Sequence, residues 1–181
     1  MNPLDRLLRW RSGPSNNEKL YGAIVAQARL PVFYRSFTVP DTVEGRFTLP
    51  SLHLFAVLHG LTREGSEGRA LAQELVDRFS KDMETVLREL GVSDVRIPKS
   101  TRGLAASSQS LLAGYEAAFA TGEPSLAEAI KESLPRETAN PELSSKALAS
   151  YLMRCVNQLE LQPLASLQTG ALEFPEANEK P

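Results

Sequence analysis

The chain has 181 residues, 42% hydrophobic and 23% charged, with a formal net charge of −2 at pH 7, which suits one domain with a proper core. Acids and bases are interspersed, so neither nucleic acid nor an anionic bilayer is attracted globally. A single cysteine, Cys155, excludes an internal disulfide and points to a reducing compartment, no Cys/His group has zinc spacing, and no apolar run approaches the roughly 20 residues of a membrane span.

Residues 1–16 set Leu4, Leu7, Leu8 and Trp10 among Arg6, Arg9 and Arg11. They read as a short interfacial amphipathic helix or a weak organelle-targeting look-alike, with a first helix packed on the domain or a frayed terminus as the alternative. The helical domain follows over residues 17–162. Its first helix, about 17–29, carries Leu20, Tyr21, Ile24, Val25 and Ala28 on one stripe and is ended by Pro31. The second is expected over about 49–63 with Pro50 in its first turn. Leu52, Leu54, Phe55, Val57, Leu58 and Leu61 point in nearly every direction, which marks a central helix surrounded by others.

A third helix spans about 67–90, with Leu75, Phe79 and Met83 inward and Gly91 as its stop. Its outer face has Glu74 with Arg78, Asp77 with Lys81 and Glu84 with Arg88, each four apart, and reads as a solvated ladder of ion pairs. A fourth covers about 98–121 and ends at Gly122. Ser125 and Glu128 suggest a capping box for a short fifth helix that ends before Pro135. The last long pattern, about 145–162, turns Leu148, Tyr151, Leu152, Cys155 and Leu159 inward. Residues 163–181 read as a largely irregular tail, disordered beyond Pro175. The fold class is therefore all-α, an irregular single-domain bundle of about six to seven helices.

Little in this pattern carries chemistry. His53 and His59 are six apart, about 240 degrees around a helix, so they cannot face one metal. A buried, hydrogen-bonded His53 is the plain reading, with general base or ligand as the alternative. Cys155 sits on an apolar stripe as a small core residue. No phosphate-binding glycine loop, dinucleotide fingerprint, zinc-protease motif or nucleophile elbow occurs. The run Arg96, Lys99, Arg102 lacks the aromatics of a nucleic-acid face and reads as a solvated helix entrance. No cofactor and no enzymatic activity are expected. The nearest acid/base set, Tyr34, Arg35, Asp41, Glu44 and Arg46, defines no reaction.

The informative stretch is PVFYRSFTVPDTVEGRF, residues 31–47. Pro31 and Pro40 restrict the backbone, Gly45 relaxes it, and Asp41 with Thr42 can cap a new turn. Apolar anchors beside arginine and acid match a recognition surface, with plugging of the core between two helices as the alternative.

This stretch, the longer passage LYGAIVAQARLPVFYRSFTVPDTVEGRFTLPSLHLFAVLHGL, the passage FSKDMETVLRELGVSDVRIPKSTRGL and the shorter LLAGYEAAF together resemble the bacterial branch of the ubiquinol–cytochrome c reductase (bc1 complex) assembly chaperones. The resemblance covers about residues 21–121. It implies an all-α, non-catalytic chaperone that holds newly made cytochrome b before it joins the respiratory complex. The ribosome and a small partner protein, both associated with mitochondrial members, are the further partners it raises. It places the chain in the bacterial cytoplasm, with peripheral contact at the inner membrane. Carried over position by position, it implies client contact by Phe33, Tyr34, Phe37, Val39, Asp41, Arg46 and Phe47, joined by Asp82, Met83 and Lys99. Two other readings stay open: a small-ligand binder or enzyme with Tyr34, Asp41 and Arg46 around a polar pocket, and a ribosome- or membrane-surface adaptor using the basic runs.

Overall fold

A computed structural model describes residues 15–89 and 97–178, and every segment of regular structure in that range is helical. In chain order the helices are α1 (Asn16–Ala28), α2 (Pro31–Arg35), α3 (Val43–Thr62), α4 (Gly65–Glu89), α5 (Ile97–Thr121), α6 (Glu123–Ser133), α7 (Pro141–Glu160) and α8 (Leu164–Gln168). Expectations for the N-terminal leucines and arginines, Gly91 and Arg96 lie outside the described residues. So do the side chains of Glu84, Arg88, Lys99 and Arg102.

Helix α3 is the axis of the bundle, packed by α1, α4, α5 and α7. Every residue from Thr48 to Val57 is buried, as its all-round apolar pattern requires. The helix nevertheless begins at Val43, six residues before the expected start, and Pro50 lies inside it. Thr42 supplies the reason: its hydroxyl accepts the Gly45 N–H at 3.2 Å, capping a turn that the proline would otherwise have to start.

Two other local expectations are corrected. Ser125 does not cap α6, which starts two residues earlier at Glu123 after Gly122, and Glu128 pairs with Lys131 at 3.2 Å instead of closing a box. Helix α7 starts at Pro141, with the Asn140 side chain accepting the Leu143 N–H at 3.1 Å. The ladder expected on α4 is partly redirected: Glu74 accepts from Asn17, and Arg78 turns toward Glu18 and Tyr21 of α1. Beyond α8 the chain runs extended along α7. Gln162 Nε2 donates to the Glu173 carbonyl at 2.6 Å, Arg154 reaches Asn178, and Phe174 meets the His53 ring edge-on at 5.2 Å. The expected disorder beyond Pro175 is therefore absent through Asn178, because this strand of chain has side-chain donors and a ring to rest on.

His53 is a satisfied core residue. Its Nδ1–H donates to the Leu49 carbonyl at 2.7 Å, which leaves Nε2 to accept from the Tyr151 hydroxyl at 3.1 Å. That hydroxyl in turn accepts from Gln27 at 2.9 Å, so the chain of bonds joins α1, α3 and α7 through a neutral imidazole. Burial pushes the His53 pKa down to about 4 and the Cys155 thiol up to about 12, the latter consistent with an inert core cysteine.

Candidate functional site

The stretch from Pro31 to Phe47 folds into a compact knob between α1 and α3. Leu30 is extended, as a residue before proline must be, and Pro31 then opens the single turn of α2. The Phe37 N–H returns to the Val32 carbonyl and the Val39 N–H to that of Phe33, folding the chain back on itself. Between them Thr38 adopts φ 55°, a left-handed conformation costly for a β-branched residue. Its hydroxyl is held 2.7 Å from that of Ser144 on α7.

This geometry overturns part of the expected contact surface. Phe33, Phe37 and Val39 are at most 1% exposed. Phe33 lies 5.3 Å from the rings of both Phe37 and Tyr151 and 5.1 Å from His53. These side chains are core, because the returning chain aims them at α3 and α7. Met83 is also buried. Gly45 does not relax a turn either: it lies in the first turn of α3, where a Cβ would stand 2.1 Å from the Pro40 carbonyl oxygen and 3.3 Å from Val39 Cγ1. The glycine is required by close approach, not by backbone angle. Pro40 is restricted in φ and Val39 is buried, so neither yields easily. Gly45→Ala is expected to cost about 2 kcal/mol, measured as a lower denaturation midpoint with an unchanged slope; an unaltered midpoint would show that the knob relaxes freely.

What remains outside is a mixed face. Tyr34 and Phe47 are half-buried, and the Phe47 ring packs 5.9 Å from that of Phe79 on α4. Leu30 and Val43 are 38% and 43% exposed, high for aliphatic side chains in a bundle. Asp41 and Arg46 form a bidentate pair, Nε–Oδ1 at 2.6 Å and Nη2–Oδ2 at 3.1 Å, which holds the Asp41 carboxyl below its usual range. Burial, and then the Asp41 charge, raise the Tyr34 phenol. Asp82 is occupied by the Tyr21 hydroxyl at 3.0 Å, and burial followed by this carboxylate pushes the Tyr21 phenol up. The Lys99 side chain lies outside the described residues.

Of the expected positions, the structure thus joins Asp41 to Arg46, sets Tyr34 where burial and then the Asp41 charge raise its phenol, and leaves Phe47 next to Arg46 on α3 and Asp82 on α4. Sequence reasoning missed Leu30, Val43, Tyr21 and Arg29. Leu30 and Val43 flank the quoted stretch or lie in its polar half, Tyr21 was absorbed into a helical stripe, and Arg29 only marked the end of that helix, so only their exposure or partners distinguish them. Among the described residues no group of three or more His, Cys, Asp or Glu side chains could hold a metal, and no helix is long and apolar enough to cross a membrane. A separate groove of about 610 Å³ lies between α6 and α7, with Pro124, Ala127, Leu143 and Ala147 on its walls.

The family model described as Ubiquinol-cytochrome C chaperone matches residues 35–174. The chain is 21% identical over 142 residues to ubiquinol-cytochrome-c reductase complex assembly factor 1 of Xenopus laevis, covering 78% of this chain and 71% of that protein. It is 24% identical over 149 residues to the Drosophila melanogaster protein of the same description, covering 80% of this chain and 58% of the relative. The match to the Mus musculus protein, at 20% identity, spans 48% of its length. Among solved structures, the Cbp3 homolog from Brucella abortus superposes with a TM-score of 0.79 at 32% identity over 90% of each chain.

Proposed function

Because this chain belongs to the ubiquinol-cytochrome C chaperone family, we propose that it acts as a non-catalytic chaperone that holds newly made cytochrome b until the subunit enters the bc1 complex. The observation that supports this reading is that the folded-back segment 30–47 leaves Leu30 and Val43 exposed and Tyr34 and Phe47 half-buried, and carries the exposed Asp41–Arg46 pair. An unassembled membrane subunit exposes apolar segments, and such a face offers aliphatic and aromatic contact with a charged rim. Helices α1, α2, α3 and α4 all contribute to or support it, so the contact surface is held by the bundle and not by a loose arm. On this reading the protein works at the cytoplasmic side of the membrane in which its client resides.

Photocrosslinking during synthesis of cytochrome b tests the proposal. A photoreactive residue at position 34, 43 or 47 is expected to capture the client, and one at buried position 37 is not. Capture only from positions remote from this face rejects the site. Absence of capture from every position, in a preparation where the client is made and the chaperone is folded, rejects the function.

A further inference from the structure

We infer that the track along α7 now filled by residues 171–178 receives an extended apolar segment of the client that carries an aromatic side chain, with residues 171–178 as its built-in competitor. The inference rests on the client-binding reading above and assigns a second place of contact, remote in sequence from residues 30–47. It comes from the way this strap of chain is held.

The hold is directed at main chain. The Gln162 carboxamide donates to the Glu173 carbonyl at 2.6 Å and accepts the Glu173 N–H at 3.0 Å, the pairing that a neighbouring strand would make. Gln158 adds a longer bond to the same carbonyl at 3.4 Å, and Arg154 donates to the Asn178 carbonyl and to its side-chain oxygen, each at 3.3 Å. Arg154 and Gln158 lie four apart on one stripe of α7, and Gln162 continues that stripe just past the helix end. Among the described residues no main-chain to main-chain bond ties 172–178 to a helix. A carboxamide offers both a donor and an acceptor, as a peptide unit does, so this pairing reads extended backbone irrespective of its side chains.

Side chains supply the selection. Leu172, Phe174 and Ala177 pack against the core, whereas Ala171, Glu173, Glu176 and Asn178 are exposed, close to the alternation of an extended segment. Phe174 is the anchor, its ring edge-on to the buried His53 of α3 at 5.2 Å. Pro175 biases Phe174 toward extended backbone and has no N–H to satisfy. The strap is entered through Gly170, at φ 82°, where a Cβ would stand 2.6 Å from Lys19 Cβ on α1. Beyond that fixed entry its hydrogen bonds are exposed and its apolar side chains only partly buried, the features of a segment that opens without unfolding its support. The seat belongs to α3 and to the C-terminal part of α7 and stays when the strap lifts. An apolar client segment with an aromatic residue in the place of Phe174 meets the same amides and the same ring.

The probe is a fluorescent peptide of the strap's own sequence, ALEFPEAN, with a control peptide in which its phenylalanine is alanine. Two full-chain variants loosen the strap and leave the seat intact. Phe174→Ala removes the anchor, and Glu173→Pro removes the N–H that Gln162 accepts, at an exposed position that keeps the test decisive if the first variant does not fold. With the strap seated in more than about nine molecules in ten, the parent's apparent affinity is lowered at least about tenfold, and both variants should bind the peptide tighter by that factor. The control peptide should show no such gain, and Gln162→Ala added to Glu173→Pro should abolish it. Client contact is read from a photoreactive residue at position 158, whose side chain makes the longest of these bonds. It should capture cytochrome b during its synthesis more strongly in Glu173→Pro than in the parent. Unchanged peptide affinity in the folded variants overturns the inference, as does peptide exchange without client capture from position 158. Either result leaves the client-binding reading standing where positions 34, 43 and 47 still capture, and capture from none of these positions rejects both. A parent that dimerises through exchanged straps, with Glu173→Pro monomeric, also overturns the inference by giving the track to a second copy.

Discussion

Phe33→Ala is expected to destabilise the protein by about 4 kcal/mol, the usual range for removing a fully buried ring. For a chain of this length the melting temperature should fall by roughly 10 °C. The ring is 0% exposed and touches Phe37, His53 and Tyr151 from three directions, so α2, α3 and α7 would line a cavity that none can close alone. The result separates two meanings of one motif. Val43→Glu changes a side chain 43% exposed at the start of α3, where an acidic residue is favoured. It should leave the melting temperature within a few degrees while reducing capture of cytochrome b. If Phe33→Ala melted like the parent and lost only client capture, the assignment of Phe33 to the core would be wrong.

The second large effect is an acid-sensitive step centred on His53. Its pKa in the folded protein, about 4, lies below the unperturbed 6.5, because burial disfavours the charged ring. Above pH 6.5 both folded and unfolded chains hold a neutral imidazole, and this group adds no pH dependence. As the pH falls below 6.5 the unfolded chain takes up the proton first, so stability declines until about pH 4 and then levels off. The loss integrates to about 3 kcal/mol. Chemical denaturation between pH 7 and pH 4 should show this decline in the parent and a flatter profile in His53→Gln. Equal slopes in the two proteins would mean that His53 is solvated or protonated in the folded state. Asp41 and Glu142, whose carboxyls are held below their usual range by arginine and lysine partners, begin to lose their contribution as the unfolded carboxyls protonate near the acid end of this window, and because His53→Gln shares that loss, the difference between the two profiles isolates the imidazole.

Both results bear on how residues 39–47 work. From Val39 to Phe47 they carry a buried anchor, a restricted backbone, a helix cap, a closely packed glycine and an exposed ion pair within nine positions. Substitutions there fall into two groups by consequence. Those at Val39 or Gly45 disturb the seat of the knob and act through folding. Those at Asp41, Val43 or Arg46 alter the face that the knob presents and leave the core intact.

The amino-acid pattern by itself determined the helical class, the succession of long helices and the central place of α3, because apolar periodicity reports how many sides of a helix meet neighbours. It also marked residues 31–47 as an ordered break between helices, through its prolines, glycine and capping residues. Which of its rings face inward was decided only in three dimensions. Phe33, Tyr34 and Phe37 lie within five positions, the first two on the single turn of α2 and the third past its end, before a left-handed residue, and no fixed period survives such a path. Gly45 was legible as a glycine but not as a contact, since the carbonyl it accommodates belongs to a backbone folded back by Thr38 and Pro40. The partners of Arg78 were still less accessible. Arg78 was assigned to Glu74 by a rule of local spacing, and it is the packing of α1 against α4 that turns it to Tyr21 and leaves its buried Nε without an acceptor.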